Sequence, residues 1–314
     1  MTPILEVQNL VKKFGDFTAV DSVSFDIQEG EVFSLLGPNG AGKTTTISML
    51  SCLLEPTSGD ATIDGHSITR KALDVKRIIG VVPQEIALYE ELSALENLTF
   101  WGQMYGLGGR TLKSRVIEVL EQIGLADRAK DKVKNYSGGM KRRVNIGVGL
   151  LHKPRLLFMD EPTVGIDPQS RRNILDSVKD LNKAGMTVLY TTHYMEEAEE
   201  LSHRVGIVDH GKMIATGTQK ELTQLVGENE TLRLHIGEEV DVQSLLSALQ
   251  ELPEVIQVSA SDNTVVLIVP EANDALPPVL GKADRLGYKI RSVDIQEPNL
   301  EALFLKLTGR ALRD

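Results

Sequence analysis

Polar and apolar positions alternate along Ser22-Val23-Ser24-Phe25-Asp26-Ile27, the period-two signature of a half-buried strand. Glu29-Gly30 reads as a turn. Val32-Phe33-Ser34-Leu35-Leu36 is then a mostly apolar run, as expected of a strand buried on both faces. A glycine-rich loop follows, and residues 44–54 predict a helix closed by Glu55-Pro56-Thr57-Ser58-Gly59. Between about Leu92 and Leu151 apolar residues recur at helical spacing, as in Val116, Val119, Leu120 and Ile123, with Gly124 as a cap. Two more buried strands, 155–159 and 187–191, flank a helix over 168–184. Strands alternating with helices predict βαβ units and a mainly parallel sheet.

The polar stretch Gly227-Glu228-Asn229-Glu230 marks a domain boundary. Beyond it the pattern predicts a strand (231–236), a helix (240–252), two strands (255–260 and 264–269), a helix (273–286), a strand (289–295) and a last helix (300–308). That βαββαβ order, plus a helix, is the ferredoxin-like split pattern. Two domains also suit a chain of 314 residues, at roughly 100–200 residues per domain. The expected boundaries are 1–226 and 231–314, with a helical subdomain at about 86–151.

Charge and cysteine usage narrow the class. A formal net charge of −10 argues against non-specific nucleic-acid binding and against attachment to anionic lipid, both of which need clustered Lys and Arg. Cys52 is the single cysteine, so no intramolecular disulfide forms and a reducing compartment is expected. Its apolar neighbours predict a small buried side chain. The first residues lack the pattern of a signal peptide, and no segment reaches the roughly 18 apolar residues of a membrane span. These readings predict a cytoplasmic, soluble chain whose membrane role comes through a partner.

Gly37-Pro38-Asn39-Gly40-Ala41-Gly42-Lys43-Thr44 fits the phosphate-loop pattern G-x-x-x-x-G-K-[ST], and Thr45 continues it. Its glycines let backbone N–H groups turn toward phosphate oxygens, and the helix behind adds its positive N-terminal end. Lys43 supplies a point charge for the terminal phosphates, and Thr44 offers a hydroxyl to Mg²⁺. The strand before and the helix after are the context this loop requires. Residues 156–159 then run as a buried strand into Asp160-Glu161. Asp160 is placed to hold Mg²⁺ directly or through water, and Glu161 to orient and polarise the attacking water as general base.

Four further motifs make the chain resemble an ATP-binding cassette (ABC) ATPase. Tyr136-Ser137-Gly138-Gly139-Met140 resembles the signature L-S-G-G-Q, with Tyr136 and Met140 departing from it. Gln84 in Val81-Val82-Pro83-Gln84 resembles the glutamine that contacts Mg²⁺ or the attacking water and links to the transport subunit. Gly165-Ile166-Asp167 resembles the family's D-loop, and His193 resembles its switch histidine. Phe14 lies where the family places an aromatic that stacks on adenine. The resemblance spans residues 1 to about 226. It implies an α/β P-loop NTPase fold with a mainly parallel sheet, an antiparallel β subdomain and a helical subdomain, followed by the small α+β C-terminal domain. ATP and Mg²⁺ are the implied cofactors.

The resemblance also implies that two copies pair head to tail. Each nucleotide would lie between one copy's phosphate loop and the other's Ser137, Gly138, Gly139 and Asp167. The ending Asn299-Leu300-Glu301-Ala302-Leu303-Phe304-Leu305-Lys306-Leu307-Thr308-Gly309 is similar to that of bacterial drug-resistance, linearmycin-resistance and sodium-efflux ATPases. These serve separate ABC-2 type permeases, so the implied function is export, with the chain held at the inner face of the membrane by its permease. The alternatives are an importer ATPase, or a soluble ABC ATPase that transports nothing. The single cassette and the lack of coiled-coil heptads weigh against the latter. Trp101 reads as a core residue rather than an interface anchor.

Overall fold

A computed structural model of the chain describes residues 3–225, 229–236, 242–261, 264–296 and 299–309. In chain order it begins with β1 (Leu5–Phe14), β2 (Phe17–Ile27), β3 (Val32–Leu36), α1 (Lys43–Leu50), β4 (Ser58–Ile63), β5 (His66–Ser67), α2 (Ala72–Ile78) and β6 (Ile79–Val82). Three helices follow: α3 (Ala94–Met104), α4 (Gly109–Gln122) and α5 (Gly138–Leu150). Then come β7 (Leu156–Asp160), α6 (Pro168–Lys183), β8 (Thr187–Thr192), α7 (Met195–Leu201), β9 (Arg204–Asp209) and β10 (Lys212–Gly217).

Strands β9, β3, β8, β7 and β6 lie side by side and parallel, within a sheet whose remaining edge strand is β10. Every residue of β3, β7 and β8 is buried, as their mostly apolar runs predict for strands covered on both faces. A second sheet, β2-β1-β4-β5, is antiparallel. It shares a core with the first through Val7, Val23, Phe25, Phe33, Ile47 and Phe158. Val116, Val119 and Leu120 of α4, with Ile123 just past its end, are buried together with Leu98, Val144 and Leu157, which seats the helical subdomain on the sheet. Each such aliphatic side chain contributes about 1.5–3 kcal/mol when taken from water.

Two local expectations are corrected. The first helix ends at Leu50, short of residue 54, because Cys52 turns the chain with a left-handed φ of 56°. In that turn Cys52 is half-buried rather than enclosed, and burial pushes its thiol above the ordinary range. Trp101 is partly buried against the helical core, with its ring edge-on to Phe100.

The chain separates into two compact units, Met1–Met213 and Ile214–Asp314, so the division falls inside β10. Of the polar stretch at 227–230, Gly227 and Glu228 lie outside the described residues. The second unit contains α8 (Gln219–Gln224), β11 (Glu230–Ile236), α9 (Val242–Gln250), β12 (Gln257–Ser261), β13 (Thr264–Val269), α10 (Ala272–Arg285), β14 (Ile290–Gln296) and α11 (Leu300–Thr308). Residues 240 and 241 of the expected helix are not among those described. The antiparallel order β12-β13-β11-β14 is the arrangement the ferredoxin-like pattern requires. Leu232, Leu234, Val265 and Leu267 alternate onto one face and meet Leu245 and Leu249 of α9 and Ala275 and Val279 of α10.

Candidate active site

Strand register alone collects the site. Leu36 at the end of β3 sits beside Thr192 at the end of β8, and Thr191 sits beside Asp160 at the end of β7. The phosphate loop, His193 and the Asp160-Glu161 pair therefore leave the sheet at adjacent carboxyl ends, where open α/β sheets hold their ligands.

The loop needs glycine for two different reasons. Gly42, the residue before α1, has φ +100°, and a Cβ there would lie 2.5 Å from the Ala19 carbonyl oxygen. A Cβ on Gly37 would lie 2.2 Å from the Val208 carbonyl oxygen. Two of the loop's amides serve the fold: Gly37 N–H donates to the Thr192 carbonyl and Ala41 N–H to the Pro38 carbonyl. An open cleft of about 290 Å³ lies over the loop. Asn39, Gly40, Gly42, Lys43, Thr44, Thr45, Gln84 and Glu161 line it, joined by Phe17 and Ala19.

Lys43 is buried, and its ammonium donates to the carbonyls of Gly37 (2.6 Å) and Pro38 (3.0 Å). It also pairs with Glu161 Oε1 at 2.9 Å. The other oxygen, Glu161 Oε2, is 3.4 Å from His193 Nδ1, an ion-pair distance without hydrogen-bond geometry. Burial pushes the Glu161 carboxyl upward, but His193 and Lys43 beside it outweigh that effect and hold it at about 2. Asp160 goes the other way. Burial raises it above the usual carboxylate range, against hydrogen bonds donated by Thr191 (2.7 Å) and Thr44 (3.2 Å), both to Oδ1.

His193 is buried, and its ring centroid lies 4.1 Å from that of Tyr194. Over Tyr194 sits the Arg171 guanidinium of α6, at 4.2 Å. Glu197, also buried, accepts hydrogen bonds from the hydroxyls of Tyr190 (2.9 Å) and Thr192 (2.8 Å) at the end of β8.

The remaining expected residues stand apart from the cleft wall. Ser137, Gly138 and Asp167 are exposed, and two of them cap helices. Ser137 caps α5 by accepting from Met140 N–H (3.3 Å), and Asp167 caps α6 by accepting from Ser170 N–H (3.0 Å). Gly139 is buried, and a Cβ there would lie 2.3 Å from Ser170 Cβ and Oγ, so its missing side chain lets α5 meet α6. The two departures in the signature also have structural reasons. Tyr136 is buried and donates its hydroxyl to the Arg128 carbonyl (2.6 Å), and Met140 packs against the helical core. Phe14 is 50 % exposed beneath the Lys12 ammonium, and its cross-strand partner is the cleft residue Phe17.

The sequence pattern of the ABC transporter family matches residues 20–164. The linearmycin resistance ATP-binding protein of Bacillus subtilis (strain 168) is 49% identical over 313 residues, covering 99% of this chain and 100% of the relative. This chain belongs to the ABC transporter ATP-binding proteins. The cassette is likewise similar to the daunorubicin/doxorubicin resistance ATP-binding protein of Streptomyces peucetius, 38% identical across 100% of this chain and 94% of that protein. The Nod factor export ATP-binding protein I of Cupriavidus metallidurans is 39% identical across all of both chains. Among solved structures, a dimeric ATP-binding cassette in a post-hydrolysis state bound to ADP and Pi superposes with a TM-score of 0.62 at 29% identity, over 68% of this chain and 98% of that one. The ATP-binding subunit of another ABC transporter gives 0.64 at 30% identity, over 71% and 93%. The cassette is thus an ATP-binding protein and an ATPase of this family.

Three contributors to the site escape sequence reading. Phe17 looks like an ordinary strand residue. Thr191 sits in an apolar run. Arg142 lies on α5 and is buried, donating to the Pro83 (2.8 Å) and Gln84 (2.6 Å) carbonyls, so the signature helix grips the Gln84 segment. In the sequence Arg142 is indistinguishable from its basic neighbours Lys141 and Arg143.

Proposed function

We propose that this cassette hydrolyses ATP in a site completed by a second copy and so powers export through separate ABC-2 type membrane subunits. The observation that carries the reading is a division of the motif residues. Lys43, Glu161 and His193 converge, buried, at one end of the parallel sheet, while Ser137, Gly138 and Asp167 are exposed and away from the cleft wall. Half of the residues that would enclose a triphosphate are gathered and half face outward, as a head-to-tail pair requires.

In this reading the phosphate chain lies along Gly37 to Thr45, with Lys43 at the terminal phosphates and the base against the aromatic pair Phe14 and Phe17. Thr44 Oγ1 and Asp160 Oδ1, 3.2 Å apart, are hard oxygen donors suited to Mg²⁺. Among the described residues no group of three or more His, Cys, Asp or Glu forms a metal cage, which fits an ion held by one or two protein oxygens, Gln84 and the phosphates. Bound there, Mg²⁺ would neutralise charge on the terminal phosphates. Glu161 orients and polarises the attacking water, and His193 holds the terminal phosphate in line. Ser137, Gly138, Gly139 and Asp167 of the second copy close the other side. Closure then follows from differential affinity, since nucleotide contacts both surfaces only when they meet.

Export is supported by the relatives named for linearmycin and daunorubicin/doxorubicin resistance and for Nod factor export, which span nearly the whole chain, including the C-terminal unit. No helix among the described residues is long and apolar enough to cross a membrane, so membrane attachment would come through the permease. Co-expression with a polytopic ABC-2 type subunit tests the reading. A complex of two cassettes and two membrane subunits with ATP-dependent efflux supports it, and a cassette that binds no membrane subunit contradicts it.

A further inference from the structure

Thr191 is a strand residue with no exposed surface, and its place in β8 asks only for a β-branched side chain. Its hydroxyl does two things that valine could not. It donates to Asp160 Oδ1 at 2.7 Å and accepts from the Glu161 backbone N–H at 3.0 Å. One proton and two lone pairs allow both at once. The Glu161 N–H also reaches the Thr191 carbonyl, at 3.2 Å. Glu161 itself has a left-handed φ of 42°, an uncommon conformation for a residue with a side chain, so something must hold the chain where it turns out of β7. Thr191 therefore ties the direction of one carboxylate to the backbone of the next.

We propose that Thr191 is a positioning residue for metal–nucleotide binding: its hydroxyl fixes Asp160 toward Thr44 and sets the turn that aims Glu161. The inference rests on the reading of Asp160 and Thr44 as the Mg²⁺ donors. Outer partners that orient a metal-binding carboxylate are typically worth about 10- to 100-fold in metal affinity. Thr191 touches neither nucleotide nor metal in this arrangement, so it acts only through Asp160 and Glu161.

The test is ADP affinity of the full chain by titration calorimetry, with and without Mg²⁺. Thr191→Val should leave metal-free ADP affinity unchanged and shrink the Mg²⁺-dependent gain by about tenfold or more. ATP turnover should fall, and KM for Mg²⁺–ATP should rise along with the lost Mg²⁺ gain. Thr191→Ser should keep the wild-type gain and Thr191→Ala should lose it. Both variants lack the methyl group, so this pair isolates the hydroxyl even if the valine variant fails to fold. An equal Mg²⁺ gain in Thr191→Ser and Thr191→Ala would overturn the proposal. Absence of any Mg²⁺ gain in the wild-type chain would instead overturn the underlying assignment of Asp160 and Thr44.

Discussion

The Lys43 ammonium and the Glu161 carboxylate form a buried ion pair at 2.9 Å, so the phosphate-binding charge and the proposed base neutralise each other before nucleotide arrives. Lys43 has two carbonyls as its other partners. A terminal phosphate must draw it from Glu161, and the freed carboxylate then becomes a stronger base. The pairing links binding to activation of the base.

Removing the competitor should strengthen binding of a nucleotide that does not need the second subunit. Glu161→Gln is expected to raise ADP affinity roughly tenfold, the scale of one hydrogen bond to a charged group. Titration calorimetry reads this directly, and unchanged or weaker ADP binding would show that Lys43 is not held back by Glu161.

The same pair predicts a pH dependence. The folded Glu161 carboxyl sits at about 2 against an ordinary 4.5, so its ionised form is favoured by folding. Its stabilising contribution is complete above 4.5 and is lost as pH falls through about 2. Denaturant unfolding should therefore show wild type gaining on Glu161→Gln as pH rises across that window. Parallel stability curves for the two proteins would contradict it.

The base platform is tested at the tip of the β1–β2 hairpin. Stacking on an aromatic contributes about 1–3 kcal/mol, so Phe17→Ala should weaken ATP binding about tenfold, and Phe17→Trp should report nucleotide by fluorescence quenching. Weakening by Phe14→Ala with no effect of Phe17→Ala would assign the base to Phe14 alone.

Gly139 yields a steric prediction. Gly139→Ala puts a methyl group 2.3 Å from Ser170 Cβ and Oγ, an overpacking that costs about 1–3 kcal/mol. Ser170→Gly should recover much of that in the double variant, measured by thermal unfolding. Independent, additive effects would mean that α5 and α6 do not meet there as described.

The fold was legible where local pattern and tertiary position coincide. The runs at Val32–Leu36, Leu156–Asp160 and Thr187–Thr192 are mostly apolar because those strands are covered on both faces, and each ends in a motif at the carboxyl edge. The loop from Gly37 and the pair Asp160-Glu161 were legible for the same reason, since each is contiguous in sequence. Relations that exist only across strands or helices were not. Thr191 reads as strand filler until the β7–β8 register sets it beside Asp160. The second reason for a glycine at 139, room for Ser170 between α5 and α6, is visible only once the two helices are seen together. The stop of α1 at Leu50 depends on the backbone of Cys52, and an apolar run without clear period gives no sign of it.

Each cassette, in the proposed function, carries half of a hydrolytic site. This is tested most directly by sedimentation of Glu161→Gln with ATP and Mg²⁺, alongside its rate of phosphate release. The expected result is loss of turnover with ATP binding retained, and a stable dimer with ATP but not with ADP. A protein that stays monomeric at saturating ATP, or that hydrolyses it at near wild-type rates, would contradict it.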